Sequence, residues 1–119
     1  MFKESLEAVV NGTEGALAGL LMDFQGVAVE SYAREGASVD VDVIGAEFSV
    51  IVKSVQRATE SLEAGGAREL AVTSDRLVTL IRVINDDYFV AIALEPTGNI
   101  GKGRYLLRTA APTLLAELS

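Results

Sequence analysis

At 119 residues, half of them hydrophobic, the chain is long enough for one modest core and too apolar to stay disordered. Its 17 Asp and Glu outnumber its 10 Lys and Arg, and the net charge of −7 excludes the basic footprint of a nucleic-acid binder and repels anionic lipid headgroups. With no cysteine there is no disulfide or thiol chemistry, and with no histidine the commonest general base and metal ligand are missing.

Residues 1–7 carry acids where a signal peptide would carry a long apolar core, and no apolar run reaches the roughly 18 residues of a membrane span. The expectation is a single domain over residues 1–119, in the cytoplasm, with no direct membrane insertion. Phe2, Leu6, Val9 and Val10 share one face of a short opening helix. Asn11-Gly12 suits its end, because both residues tolerate the left-handed conformation.

Residues 16–22 are apolar throughout, Asp23-Phe24-Gln25-Gly26 reads as a turn, and residues 27–32 return as a strand. The first strand of this hairpin is apolar on both faces, so it belongs inside the sheet with cover on both sides. Gly15 and Gly19 weaken it and leave room for close helix packing. A polar connection, 33–42, follows, with Ser38, Asp40 and Asp42 as candidate N-caps for the next helix.

That helix, 43–62 and running to about residue 64, is the longest amphipathic stretch, and Gly65-Gly66 should end it. One stripe is apolar: Ile44, Phe48, Ile51, Val55, Ala58 and Leu62. A second, mostly small, holds Val43, Glu47, Val50, Ser54, Ala58 and Ser61. The spacing predicts the first stripe on the protein's own sheet and the second on a partner, most simply a second copy of the chain.

Three strands complete the sheet. Residues 69–73 alternate, with Leu70 and Val72 on one face and Glu69 and Thr73 on the other, as in a half-exposed edge strand. Residues 77–84 and 88–94 are apolar on both faces apart from Thr79 and Arg82, and Asn85-Asp86-Asp87 turns between them. After Pro96-Thr97-Gly98, Asn99 is a candidate cap for a last helix over residues 100–118, with core positions Leu107, Ala111, Leu114 and Leu118. Pro112 is expected to kink or split it. The order α-β-β-α-β-β-β-α and the doubly apolar strands predict an α+β fold. It is a five-stranded antiparallel sheet, with the central helix on one face and the terminal helices on the other.

The sequence offers little catalytic chemistry. Thr97-Gly98-Asn99-Ile100-Gly101-Lys102-Gly103 stands between strand and helix, the setting of a phosphate loop. Pro96 occupies the required first glycine and Gly103 replaces the magnesium-binding Ser or Thr. Asp40/Asp42 and Asp86/Asp87 are paired acids in polar connections, where capping and turn chemistry accounts for them. No cofactor or metal is expected. Tyr32, Tyr88 and Tyr105 read as core or rim residues. Lys53 and Arg57, with Ser49 and Glu60 near them, read as an exposed helix face.

The chain resembles the roadblock family, which includes dynein roadblock light chains, MglB-type bacterial proteins and scaffold subunits at lysosomal membranes. The likeness runs from Gly15 to Leu118. Its first motif is the hairpin from Gly15 through Asp23-Phe24-Gln25-Gly26 to Val29, similar to the family's apolar strand, Asp, two residues, Gly and apolar strand. The second is Gly98-Asn99-Ile100-Gly101-Lys102-Gly103-Arg104 followed by Leu107-Arg108, similar to the family's start of the last helix. The resemblance implies a profilin-like sheet flanked by helices and a homodimer or heterodimer joined edge to edge. It also implies binding to a small Ras-like GTPase of the MglA type, or an assembly role as in dynein, and in bacteria a connection to cell polarity.

Carried onto this chain, the dimer residues are Leu70, Ala71, Val72 and Thr73 on the edge strand and Val43, Glu47, Val50, Ser54 and Ser61 on the helix. The expected GTPase contacts are Ser49, Lys53, Arg57 and Glu60. The resemblance points to repositioning of the GTPase's own residues, rather than to Arg57 entering its nucleotide site as a trans-acting arginine.

Overall fold

The computed structural model describes residues 1–119. Three helices and five strands follow one another as α1 (Phe2–Gly12), β1 (Ala16–Asp23), β2 (Ala28–Ala33), α2 (Val41–Ser61), β3 (Glu69–Thr73), β4 (Val78–Val83), β5 (Tyr88–Leu94) and α3 (Ile100–Leu118). The strands form one antiparallel sheet in the order β2-β1-β5-β4-β3, which leaves β2 and β3 at the edges. The expected element order and edge strand are both observed.

Local chemistry explains where the elements start and stop. Asp23 Oδ1 accepts from the Gln25 and Val27 N–H groups at 3.0 and 2.9 Å, which closes the β1–β2 turn, and Gly26 there adopts φ 90°. Asn85 Oδ1 does the same for Asp87 and Tyr88 in the β4–β5 turn. Among the three candidate caps of α2, Asp40 is the one used, accepting from Val43 N–H at 3.2 Å. Asn99 caps α3 by accepting from Lys102 N–H at 3.0 Å, so the glycine-rich stretch is a helix start. At the other end of α1, Arg34 donates to the Val10 and Thr13 carbonyls at 2.9 and 3.4 Å, placing a cation on the negative end of that helix.

Each face of the sheet has its own core. On one side α1 and α3 pack Leu6, Val9, Val10, Leu107 and Leu114 against Leu21, Leu80, Val90, Ile92 and Leu94. On the other, Val52 of α2 joins Leu20, Met22, Phe24, Ile81, Phe89 and Ala91. Gly19 is what lets α1 come close: a Cβ there would sit 2.9 Å from Val10 Cγ2.

Three expectations are corrected. Helix α2 does not rest on the stripe Ile44, Phe48, Ile51, Val55, Ala58 and Leu62. Its buried line is Gly45, Ser49 and Val52; Ile44, Phe48 and Val55 are half-buried beside it, and Ile51, Ala58 and Leu62 are exposed. The cause is close approach. Gly45 lies on Leu20 and Met22 of β1, and a side chain of any size there would overlap them. A pattern of large apolar residues cannot register a contact made through a glycine and a serine.

The end of α2 differs as well. The helix stops at Ser61, and the residue that takes the left-handed conformation next is Glu63, at φ 57°, ahead of the 65–66 glycine pair. Ala64 N–H reaches back to the Thr59 carbonyl at 2.8 Å and Glu63 N–H to the Glu60 carbonyl at 3.0 Å, the two bonds of a Schellman motif. Pro112, finally, neither splits nor ends α3, which is continuous from Ile100 to Leu118. Pro112 and Arg108 are both exposed, so the carbonyl deprived of its donor can turn to water.

Candidate partner-binding surfaces

Helix α2 and its C-cap carry four exposed large apolar side chains. Val43, Val50, Ile51 and Leu62 are exposed at 56, 58, 42 and 77% of their area. Val43, Val50, Ser54 and Ser61 recur at helical spacing on the side away from Gly45, Ser49 and Val52, with exposed Glu47 beside them. All five expected helix seam positions therefore stand free of the protein's own core.

The edge strand β3 gives a second open surface. Its inner side pairs with β4 from Glu69 against Arg82 to Thr73 against Val78. Its outer side meets no strand, which leaves backbone groups free for a further strand. Ala71 and Thr73 are exposed, whereas Leu70 and Val72 are half-buried and Leu70 packs on the α2-side core. At its start, Glu69 accepts from Arg104 of α3 in a short hydrogen bond and from Arg82 at 3.3 Å. The Arg104 bond holds the Glu69 carboxyl below its ordinary pKa. Partial burial opposes the shift, and the positive charges of Arg104, Arg82 and Arg108 add to it.

The four expected GTPase contacts do not share one surface. Lys53, Arg57 and Glu60 are exposed, but Ser49 is only 3% exposed and faces the sheet. Its hydroxyl donates to the Ala46 carbonyl at 2.8 Å, and it lies above the hairpin turn at Gly26. Ser49 is therefore corrected from a contact residue to a packing residue. Spacing groups it with Lys53 and Arg57 only when the core line of α2 is drawn through the larger apolar residues.

Lys53, Arg57 and Glu60 form one wall of a groove of about 960 Å³. Phe24 and Val83 contribute apolar surface, and the opposite rim is made by residues 66–68 and the β4–β5 turn at Asn85 and Asp86. Gln56 joins the walls, accepting from Ala67 N–H at 2.8 Å and donating to the Ala67 carbonyl at 3.2 Å. Sequence reasoning finds only the helical side of this groove. The other side comes from three segments distant along the chain.

No helix is long and apolar enough to cross a membrane. No family model matches the sequence, and no curated protein does. Solved structures do match. MglC from Myxococcus xanthus is 38% identical, with 98% of each chain covered and a TM-score of 0.72. The gliding protein MglB from Thermus thermophilus is 18% identical over 96% of this chain and 85% of its own, with a TM-score of 0.86. A Roadblock/LC7 domain from Streptomyces avermitilis is 13% identical over 97 and 95%, with a TM-score of 0.85. The last two show the shared fold; the identity with MglC, over almost the full length of both chains, shows the relationship. This chain belongs to the roadblock family.

Proposed function

We propose that this chain is a non-catalytic, dimeric cytoplasmic module that binds and regulates a small Ras-like GTPase. The observation that carries the reading is the pairing of an exposed apolar helix face, Val43 and Val50 with the small residues Ser54 and Ser61, with an unpaired edge strand, β3. Both surfaces cost stability in water unless a partner covers them, and a second copy offers the same two surfaces by symmetry. In this reading Val43, Glu47, Val50, Ser54, Ser61 and Leu70 through Thr73 form the seam. Lys53, Arg57 and Glu60 remain available for the GTPase.

Light scattering tests the seam. The wild type is expected to run as a dimer at micromolar concentration, and Val50→Asp or Val72→Asp to shift it toward monomer with its circular dichroism unchanged. A monomeric wild type would sink the reading. GTP hydrolysis by a Ras-like GTPase encoded beside this chain tests regulation, with a change of rate expected on adding the dimer.

A second reading is a structural dimerisation subunit of a larger motor or signalling assembly. It is favoured by the identities, 38% with MglC against 18% with the Thermus MglB chain, since an MglB-type activity does not follow from so distant a sequence. Tight binding to a GTPase with no change in its hydrolysis would select it.

A further inference from the structure

The groove beside α2 reverses the charge balance of the chain. Four of the 10 Lys and Arg line it, Lys53, Arg57, Arg68 and Arg82, against two of the 17 Asp and Glu, Glu60 and Asp86. Arg82 is already held by Glu69. Lys53, Arg57 and Arg68 form no ion pair with any carboxylate of the chain, although acids are in excess. Three uncompensated cations from two segments therefore converge on one concave surface of an acidic protein.

The groove is also built to hold a shape. The paired hydrogen bonds between Gln56 and Ala67 tie the loop to the helix, and the Arg68 carbonyl accepts from Val83 N–H at 2.8 Å, which ties the same loop to β4. Asn85 closes the turn that forms the far rim. Phe24, only 7% exposed, and half-buried Val83 give it an apolar side. Preorganised walls lower the ordering cost of binding.

We propose that this groove docks an acidic peptide segment of a partner protein, one that carries an apolar side chain flanked by carboxylates. The apolar side chain would lie against Phe24 and Val83, and the carboxylates would meet Lys53, Arg57 and Arg68. A second copy of this chain is a poorer occupant, because two chains of net charge −7 repel each other at long range, whereas a short acidic segment presents its carboxylates to the cations alone. The inference rests on the proposed contact role of Lys53 and Arg57 and adds the chemistry of what they meet.

The test is fluorescence polarisation on the full chain with three labelled synthetic peptides. One has glutamates around a Leu-Phe pair, one has alanines in place of that pair, and one has lysines in place of the glutamates. The first is expected to bind, and to bind more weakly as salt rises, since the cations are exposed. The double variant Lys53→Glu/Arg57→Glu should weaken it by about tenfold or more. Arg68→Glu, on the other wall, should weaken it independently, and Lys3→Glu, an exposed cation on α1 outside the groove, should leave it unchanged.

The proposal is overturned if the lysine peptide binds as well, if the alanine peptide binds equally, or if inorganic phosphate displaces the peptide at equal concentration. It is also overturned if the double variant changes the oligomeric mass while peptide affinity stays the same. The GTPase assay separates the two ideas. Peptide binding without any effect on GTP hydrolysis overturns the regulatory reading and keeps the groove. GTPase binding that ignores the double variant overturns the groove as the contact and keeps the regulation.

Discussion

Gln56 and Ala67 are joined by two hydrogen bonds between a side-chain amide and a backbone peptide, 2.8 Å from Ala67 N–H to Gln56 Oε1 and 3.2 Å from Gln56 Nε2 to the Ala67 carbonyl. The amide thus behaves like one rung of a ladder between the helix and the segment entering β3. It fixes the groove width and the point at which the edge strand begins.

Replacing Gln56 by alanine removes both bonds from a half-buried site. At about 0.5–1.5 kcal/mol for each, the expected loss is about 1–3 kcal/mol, read as a lower urea midpoint. Hydrogen exchange at the Ala67 amide should accelerate more than at Val72. Equal protection at Ala67 in wild type and variant would show that the bridge does not hold the loop.

Glu63 follows the end of α2 with a positive φ of 57°, a conformation that costs a side-chain-bearing residue roughly 1 kcal/mol and glycine almost nothing. Glu63→Gly is therefore expected to stabilise the protein by up to about 1 kcal/mol, against the usual cost of adding a glycine. Glu60→Gly, inside the helix, should destabilise by a similar amount. A higher thermal midpoint for the first and a lower one for the second is the pattern to be measured.

Gly45 and Gly101 lie in helices and predict opposite outcomes for one substitution. At Gly101 a Cβ would find only Asn99 Oδ1, 3.8 Å away, so Gly101→Ala should add about 0.5–1 kcal/mol of helix stability. At Gly45 the same Cβ would overlap Leu20 and Met22, and Gly45→Ala should cost about 1–3 kcal/mol as α2 is pushed off β1. Equal shifts of the two midpoints would contradict the close approach of helix and sheet.

Glu69 gives the protein a pH dependence. Its folded carboxyl, hydrogen-bonded by Arg104, titrates below the ordinary carboxylate value of the unfolded chain. The unfolded chain then takes up a proton first as pH falls. The stability from Glu69 is fully present above the unfolded value and is lost as pH drops through the folded one. Glu69→Gln should flatten the acid side of the stability curve relative to wild type and bring Arg104 and Arg82 into uncompensated proximity near neutral pH. The contribution is modest, because the pair is partly in water. Urea midpoints from neutral pH down through the carboxylate range check it.

Much of the fold is legible because it rests on local chemistry. The bounds of β3, β5 and α3 follow from alternation, from Asn85 and from Asn99, whose side chains act within three residues. The edge position of β3 follows from its half-polar pattern, and the doubly apolar β1, β4 and β5 require helices on both faces. The candidate contact face is legible only in part. Lys53, Arg57 and Glu60 show their exposure by spacing, but spacing assigns Ser49 to the wrong side because helix rotation depends on which residues approach the sheet most closely.

Residue type and near neighbours suffice for the order of elements, the Asn99 cap of α3, the acidic character and the absence of histidine and cysteine side chains, since each depends on composition or on positions a few residues apart. Long-range packing alone sets which line of α2 faces the sheet, because a glycine against Leu20 and Met22 outweighs a stripe of larger apolar residues. It alone assembled the groove of Lys53, Arg57 and Arg68, because Phe24, the α2 wall, the loop before β3 and the β4–β5 turn meet through long-range packing that no local pattern records.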